Sequence, residues 1–197
     1  MPLSKILKLG MASAAGIIAS YGIFTLISGL LYPGGIDPLT EYISYLGDYG
    51  KNPSGGIFYN IGCILGGSFI IPFVISLEVW KDEKKAQSLF LRVSQLIGFA
   101  DGIALIFIGI FHSGHPYHGD ASSAFFVTNL AFFIFTTIAL LFHPAFYKGI
   151  AIYALLVSVF NLIYVASDPG PVIEWITVFT ALGFVALLIV NMIVRKP

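Results

Sequence analysis

Six runs of about 20 apolar residues divide this chain, at roughly 9–31, 57–79, 93–112, 122–142, 149–167 and 171–194. A bilayer core of about 30 Å is crossed by about 20 residues of helix. In lipid, a spanning backbone must satisfy its own hydrogen bonds, which leaves helices or closed barrels. The runs are continuous rather than alternating, so helices are expected. Composition points the same way: mean hydropathy is +0.91 and only 10% of residues are charged, against about 25% in a soluble domain. The expected fold is all-α, one integral membrane bundle of six helices over residues 1–197, with no separate soluble domain. The first run follows Lys5 and Lys8, as a secretory signal would. Its length of about 22 residues exceeds the usual 7–15 of a signal core, so it is expected to be retained.

Charge sets the orientation. With the N-terminus in the cytoplasm, Lys5, Lys8, Lys81, Lys84, Lys85, Arg92, Lys148, Arg195 and Lys196 all fall inside, and Lys51 alone falls outside. By the positive-inside rule, both termini of this multi-pass protein are cytoplasmic and it sits in the cell membrane. The outer face then receives Asp37, Glu41, Asp48, Asp120, Asp168, Glu174 and three of the four histidines. Net charge is zero and there is no basic run, so nucleic acid is not an expected partner. Membrane lipids are, and so are partner subunits of a membrane complex. The single cysteine, Cys63, can form no internal disulfide. Trp80 at the inner boundary and Trp175 at the outer one suit headgroup anchoring. Gly62/Gly66 and Gly98/Gly102 have the spacing of close helix contacts. The first outer loop has about 25 residues and its counterpart between spans four and five about six, unlike the inverted repeats of many transporters.

The first outer loop carries its own pattern. Asp37 is placed to cap a helix, with Pro38 at its first position. Leu39, Tyr42, Ile43 and Leu46 then form one apolar face, and Gly47 suits the end. The spacing predicts a short interfacial helix that lies over the bundle, either as a plain lid or as a lid that contributes a binding residue.

"FHSGHPYHGD", residues 111–120, concentrates the histidines between the third and fourth spans. Pro116 disfavours helix at His115, so the third span is expected to end near Gly114, with His112 on its last turn and Asp120 capping the fourth. His112, His115 and His118 together are the candidate ligands if a zinc ion is present, although their spacing is not a recognised zinc arrangement. Otherwise they are loop residues, or part of a polar site without a cofactor. If His118 met Glu174, the carboxylate would favour the charged imidazole and an anion- or headgroup-binding pocket over a metal. Glu174 itself follows Asp168-Pro-Gly-Pro at the start of the sixth span, where a helix N-terminus favours an acid.

Within the spans, a charge at Asp101 costs about 2.5–3.5 kcal/mol on insertion scales. It is therefore expected to face protein, either as a proton or ion relay or as an acid bonded to a neighbouring helix. Asn60, Asn129 and Asn161 sit in the outer thirds of three spans, either as polar glue between helices or as one network with Ser44, His118 and Glu174 that floors an outward-facing pocket.

"ISYLGDYGKNPSGGIFYNIG" resembles a prokaryotic family of six-span membrane proteins catalogued as domain of unknown function 998. Ser44, Leu46, Gly47, Asn52, Pro53, Phe58, Asn60 and Gly62 carry the likeness, and Gly109, Phe111, His118 and Glu174 continue it. The resemblance covers most of the chain and implies one compact six-helix bundle. The family looks distantly similar to DRAM-like and GPI-lipid-remodelling six-span proteins, which implies lipid-related work. His112 and His115 stand outside the shared pattern. Ser44, Asn60, His118 and Glu174 are accordingly the candidate ligand-binding residues of an outward-facing polar pocket. Two functions follow. One is a protein that binds a lipid headgroup or small ligand, or serves as an accessory subunit. The other is a membrane-embedded enzyme, metal-dependent if a zinc ion is held, acting on lipids at the outer leaflet, although no nucleophile motif is present.

The topology has a direct test. A membrane-impermeant thiol reagent added from outside should label Lys51→Cys and Gly119→Cys and leave Lys84→Cys unlabelled; labelling at position 84 would invert the orientation.

Overall fold

The apolar runs become helices in the computed structural model, which describes residues 3–141, 143–167 and 170–195. Asp168 and Lys196, assigned above to the outer and inner faces, lie outside the described residues. The helices are α1 (Leu3–Leu30), α2 (Gly56–Ser76, continued by a 3₁₀ turn Leu77–Trp80), α3 (Lys85–Ile110), α4 (His118–Leu141), α5 (Lys148–Ser167) and α6 (Pro171–Arg195). There is no strand among the described residues. All six helices are long and apolar enough to cross a membrane. The fold is an all-α six-helix membrane bundle. α3 starts at Lys85, well before its apolar run, because Lys, Ala, Gln, Leu and Arg are good helix formers and extend it past the hydrocarbon slab. At its other end it stops at Ile110, a turn short of the expected Gly114, and His112 lies in the loop. α4 begins at His118, so Asp120 sits inside its first turn rather than capping it.

Each helix packs on the next, and α1 meets α6, which closes a ring. Buried side chains fill its inside as two clusters, one at the end that carries the loop between α1 and α2, here called outer, and one at the opposite end, called inner. The outer one includes Ile43, Leu46, Tyr59, Cys63, Phe125 and Phe126. The inner one includes Phe73, Trp80, Phe133, Phe184, Leu188 and Met192. The outward faces carry exposed Leu26, Phe99, Ile152, Leu155 and Val190, as helices solvated by acyl chains require.

Trp80 does not act as a headgroup anchor. It is fully buried, with its ring edge-on to His143 (5.2 Å) and Phe146 (6.0 Å) and its carbonyl taken by the Gln87 side chain (2.8 Å). The α4–α5 loop folds over it and makes it the plug of the inner end. Burial holds the His143 imidazole below its ordinary pKa, so the ring favours its neutral form there.

The closest seam is between α2 and α3. A Cβ at Gly102 would come 2.9 Å from the Gly67 carbonyl oxygen, and one at Gly67 would meet the Gly102 carbonyl in turn. A Cβ at Gly62 would meet Phe24, and one at Gly98 would meet Val74 and Phe132, whereas Gly66 has ordinary room. Two of the four spaced glycines thus face side chains, one has room, and the backbone-to-backbone approaches pair Gly102 with Gly67 and Gly109 with the Asn60 carbonyl, and the spacing singled out neither Gly67 nor Gly109.

Backbone carbonyls cannot move aside as side chains do. Gly102→Ala or Gly67→Ala should therefore destabilise the bundle by about 1–3 kcal/mol in reversible unfolding. Gly22→Ala, where nothing lies within 4 Å of the new carbon, should be neutral or slightly stabilising. Equal effects at the two kinds of site would contradict the seam.

Candidate functional site

The first outer loop is built by side chains reaching its backbone from the helices. Asp37 does begin a turn: its Oδ1 accepts from Leu39 N–H (2.9 Å), and Glu41 N–H bonds the Asp37 carbonyl (2.9 Å). The turn does not propagate. Tyr42 is extended (φ −64°, ψ 145°), and a five-residue 3₁₀ helix follows at Ile43–Gly47. In a continuous helix Ile43 N–H would bond the Leu39 carbonyl. It donates instead to Glu174 Oε2 (2.8 Å), and the Glu41 carbonyl accepts from Trp175 Nε1 (2.9 Å). The first turn of α6 thus overrides the local periodicity. Leu39, expected on the buried face, is exposed, while Ile43 and Leu46 are buried.

The rest of the loop is held in the same way. The Leu46 carbonyl accepts from Ser28 Oγ (3.0 Å) and Asn52 Nδ2 (2.9 Å). Asn52 Nδ2 also reaches the Ser28 carbonyl, and its Oδ1 accepts Gly55 N–H (3.0 Å) at the start of α2. Asn60 Nδ2 donates to the Gly47 carbonyl (3.1 Å). The Tyr32 hydroxyl donates to Glu41 Oε1 (2.7 Å). Burial, reinforced by that carboxylate, pushes the Tyr32 phenol up to about 12, so the donor persists across the physiological range. Lys51 lies over the Tyr45 ring, 3.1 Å from its centroid. Tyr49 packs edge-on to His112 (4.5 Å), which ties the loop to the histidine segment.

Beneath this lid is a cavity of about 70 Å³. Ser44, His118, Ser122 and Glu174 line its outer part, and Asp101 and Asn129 line it from α3 and α4. The remaining wall is apolar and largely aromatic, with Phe125, Phe126, Phe132 and Phe133 from α4 and Tyr21 and Tyr59 from α1 and α2. The two tyrosine hydroxyls are hydrogen-bonded to each other (3.0 Å). On α6 the lining runs from Glu174 to Val185, about 16 Å at 1.5 Å per residue. The space is therefore long and narrow. Three of the four candidate binding residues, Ser44, His118 and Glu174, border it. Asn60 does not: its amide is spent on the loop backbone, and its Oδ1 is buried without a hydrogen-bond partner.

The three asparagines do not form one network. Asn129 Nδ2 donates to Asp101 Oδ2 (3.1 Å), and Thr128 Oγ1 donates to Asp101 Oδ1 (3.0 Å), so the buried acid is tied to α4. Asn161 donates to the Val157 carbonyl of its own helix (3.0 Å). The histidines also go separate ways. His112 Nδ1 meets the Ser113 carbonyl (2.7 Å), His118 Nδ1 meets the Phe111 carbonyl (2.7 Å), and His115 Nδ1 accepts Tyr117 N–H (3.2 Å). Among the described residues no three His, Cys, Asp or Glu side chains converge as a metal-ligating group. Thr177, which the sequence reading passed over, lines the cavity one helical turn below Glu174, and its buried hydroxyl has no hydrogen-bond partner. The i, i+3 spacing from Glu174 was the available signal.

The profile of a family described as a protein of unknown function (DUF998) matches residues 13–194, and the chain belongs to that family. No curated protein and no solved structure matches it.

Removing the Glu174 carboxyl leaves Ile43 N–H buried without an acceptor, a loss of about 1–3 kcal/mol. Glu174→Ala should therefore open the lid and speed proteolysis at its exposed segment around residues 37–40. Glu174→Gln, which keeps an acceptor oxygen, should remain close to wild type. Equal protection in Glu174→Ala would show that the bond does not hold the lid.

Proposed function

We propose that this protein is a non-catalytic binding protein of the cell membrane, with both termini cytoplasmic, that holds a small amphiphilic molecule in the cavity under its outer loop. One observation carries the reading. Polar groups at Ser44, His118, Ser122 and Glu174 border the outer part of a space whose wall is otherwise apolar except for Thr177, Asp101 and Asn129, the usual make-up of a small-molecule site. A lipid chain and a free amphiphile share the chemistry this space accepts. The distant likeness of the first-loop motif to DRAM-like and GPI-lipid-remodelling proteins supports a lipid-related ligand by analogy alone. Delivery of that ligand to a partner subunit is compatible with the same site.

A second reading is an enzyme acting on lipid at the outer leaflet, and one observation favours it. His118 has its Nδ1 fixed by the Phe111 carbonyl, which leaves Nε2 as the basic nitrogen of a neutral ring. A general base needs a partner to activate, and Ser44 and Ser122 are the hydroxyls that line the same space.

Filling the cavity separates occupancy from fold. Ala181 lines it from α6, and Ala181→Leu adds three carbons there. Native mass spectrometry of protein released from nanodiscs should find a small bound molecule on wild type and lose it on Ala181→Leu, with unfolding unchanged or slightly raised. An empty wild type, or equal occupancy in the variant, would overturn the reading.

A further inference from the structure

The sign of the ligand's charge is written in the cavity wall. Among the described residues no lysine or arginine lines it, and two carboxyl groups, Asp101 and Glu174, do. Glu174 is committed to the lid through Ile43 N–H and to the Tyr164 hydroxyl (3.4 Å). Asp101 is 2% exposed and accepts one hydrogen bond on each oxygen, from Thr128 and Asn129. A carboxylate oxygen takes two donors, so Asp101 has acceptor capacity left where it meets the cavity. Its two present partners are neutral donors, which orient the carboxyl without neutralising it.

We infer that the ligand carries an ammonium group and that Asp101 is the residue that pairs with it. The inference rests on the cavity-binding reading above and names the ligand's class. Four features carry it. First, an ammonium supplies the N–H donors that the open lone pairs of Asp101 accept, and it balances a charge that is costly at this depth. Second, the neighbouring wall is aromatic, with Phe125, Phe126, Phe132 and Phe133 on the helix that also presents Asn129; aromatic faces attract cations. Third, the Thr177 hydroxyl is 1% exposed, borders the same space and has no hydrogen-bond partner. An unsatisfied buried hydroxyl is uncommon, and a ligand N–H or an accompanying water satisfies it. Fourth, the space is long and narrow, about 70 Å³ spread along roughly 16 Å of α6, a shape that favours a slim, unbranched primary alkylamine over a ring or a quaternary headgroup.

The competing charges fit poorly. An anion, which the expected His118–Glu174 pair would have favoured, has no cationic side chain to meet here and two acids to oppose it. Hard metal ions require six or more oxygen ligands, and this wall is mostly carbon.

The test uses three molecules of one shape. n-Butylamine, n-butanol and n-butanoate are titrated at neutral pH into the full chain in lipid nanodiscs, with binding followed by ligand-observed NMR and by thermal unfolding. The amine is expected to bind wild type at least tenfold more tightly than the alcohol, and the butanoate not at all. Asp101→Asn should bring the amine down to the level of the alcohol, and Thr177→Val should weaken it severalfold. Butanoate binding as well as the amine, an amine no better than the alcohol, or an amine advantage that survives Asp101→Asn would each overturn the inference while leaving a binding cavity in place. Wild-type comparison alone decides the matter if Asp101→Asn fails to fold. Binding of all three that is the same in Ala181→Leu is partition into the bilayer, and removes both the inference and the cavity reading.

Discussion

Irregular backbone buried at the end of a membrane bundle must find hydrogen-bond partners inside the protein, because neither lipid nor water reaches it to supply them. That constraint organises the outer half of this molecule. Residues 41–55 leave regular helix where they pack between α1, α2 and α6, and several of their backbone groups meet side chains from those helices or from the loop itself. Ser28 and Asn52 take the Leu46 carbonyl, Asn60 takes the Gly47 carbonyl, Asn52 takes Gly55 N–H, Glu174 takes Ile43 N–H and Trp175 takes the Glu41 carbonyl. The short motif "SYLGDYGKNPSGGIFYNIG" is the covalent record of that arrangement. Gly47 and Gly55 complete it, since a Cβ at the former would strike Asn60 and one at the latter Asn52 and the Ser28 carbonyl.

The cavity follows from the lid. A ring of six helices, held tightly at Gly67 and Gly102 and plugged at its inner end by Trp80, leaves space on its axis below the loop. The side chains that border that space come from the lid, α1, α2, α3, α4 and α6. α5 contributes no residue to that border, and its Ile152, Leu155, Leu156 and Leu162 are exposed on the outside of the bundle. The division of labour is clear in Glu174: one oxygen fixes the lid, and the side chain also borders the space that the lid covers. The group that closes the lid is thereby also part of the wall beneath it.

The spans were legible because a continuous apolar run of about 20 residues has few physical outcomes. Burial of Asp101 against another helix was legible for the same reason, since exposure to acyl chains is so costly. What was not legible was pairing. Asn60 and Asn129 have identical amides, yet one serves the loop backbone and the other Asp101, and only the packing of α2 and α4 decides which. The helix predicted from Asp37 was cut at Tyr42 because Glu174 and Trp175, more than 130 residues away, claim its backbone. Trp80 looked like an interfacial anchor because sequence position gives depth without saying which way a side chain faces. Thr177 was hidden in an apolar helix, and its only sequence signal was its spacing from Glu174.

If buried side chains hold the lid as described, its amides exchange slowly although little of it is regular helix. Hydrogen exchange of the protein in nanodiscs measures this directly. Ile43, Gly55 and Gly56 N–H should be protected to nearly the level of the helix cores, while Leu39 and Gly50, whose amides bond only exposed aspartates, should exchange within seconds. Exchange of Ile43 and Gly55 as fast as that of Leu39 would contradict it, and would mean that the loop is a solvated linker rather than a lid.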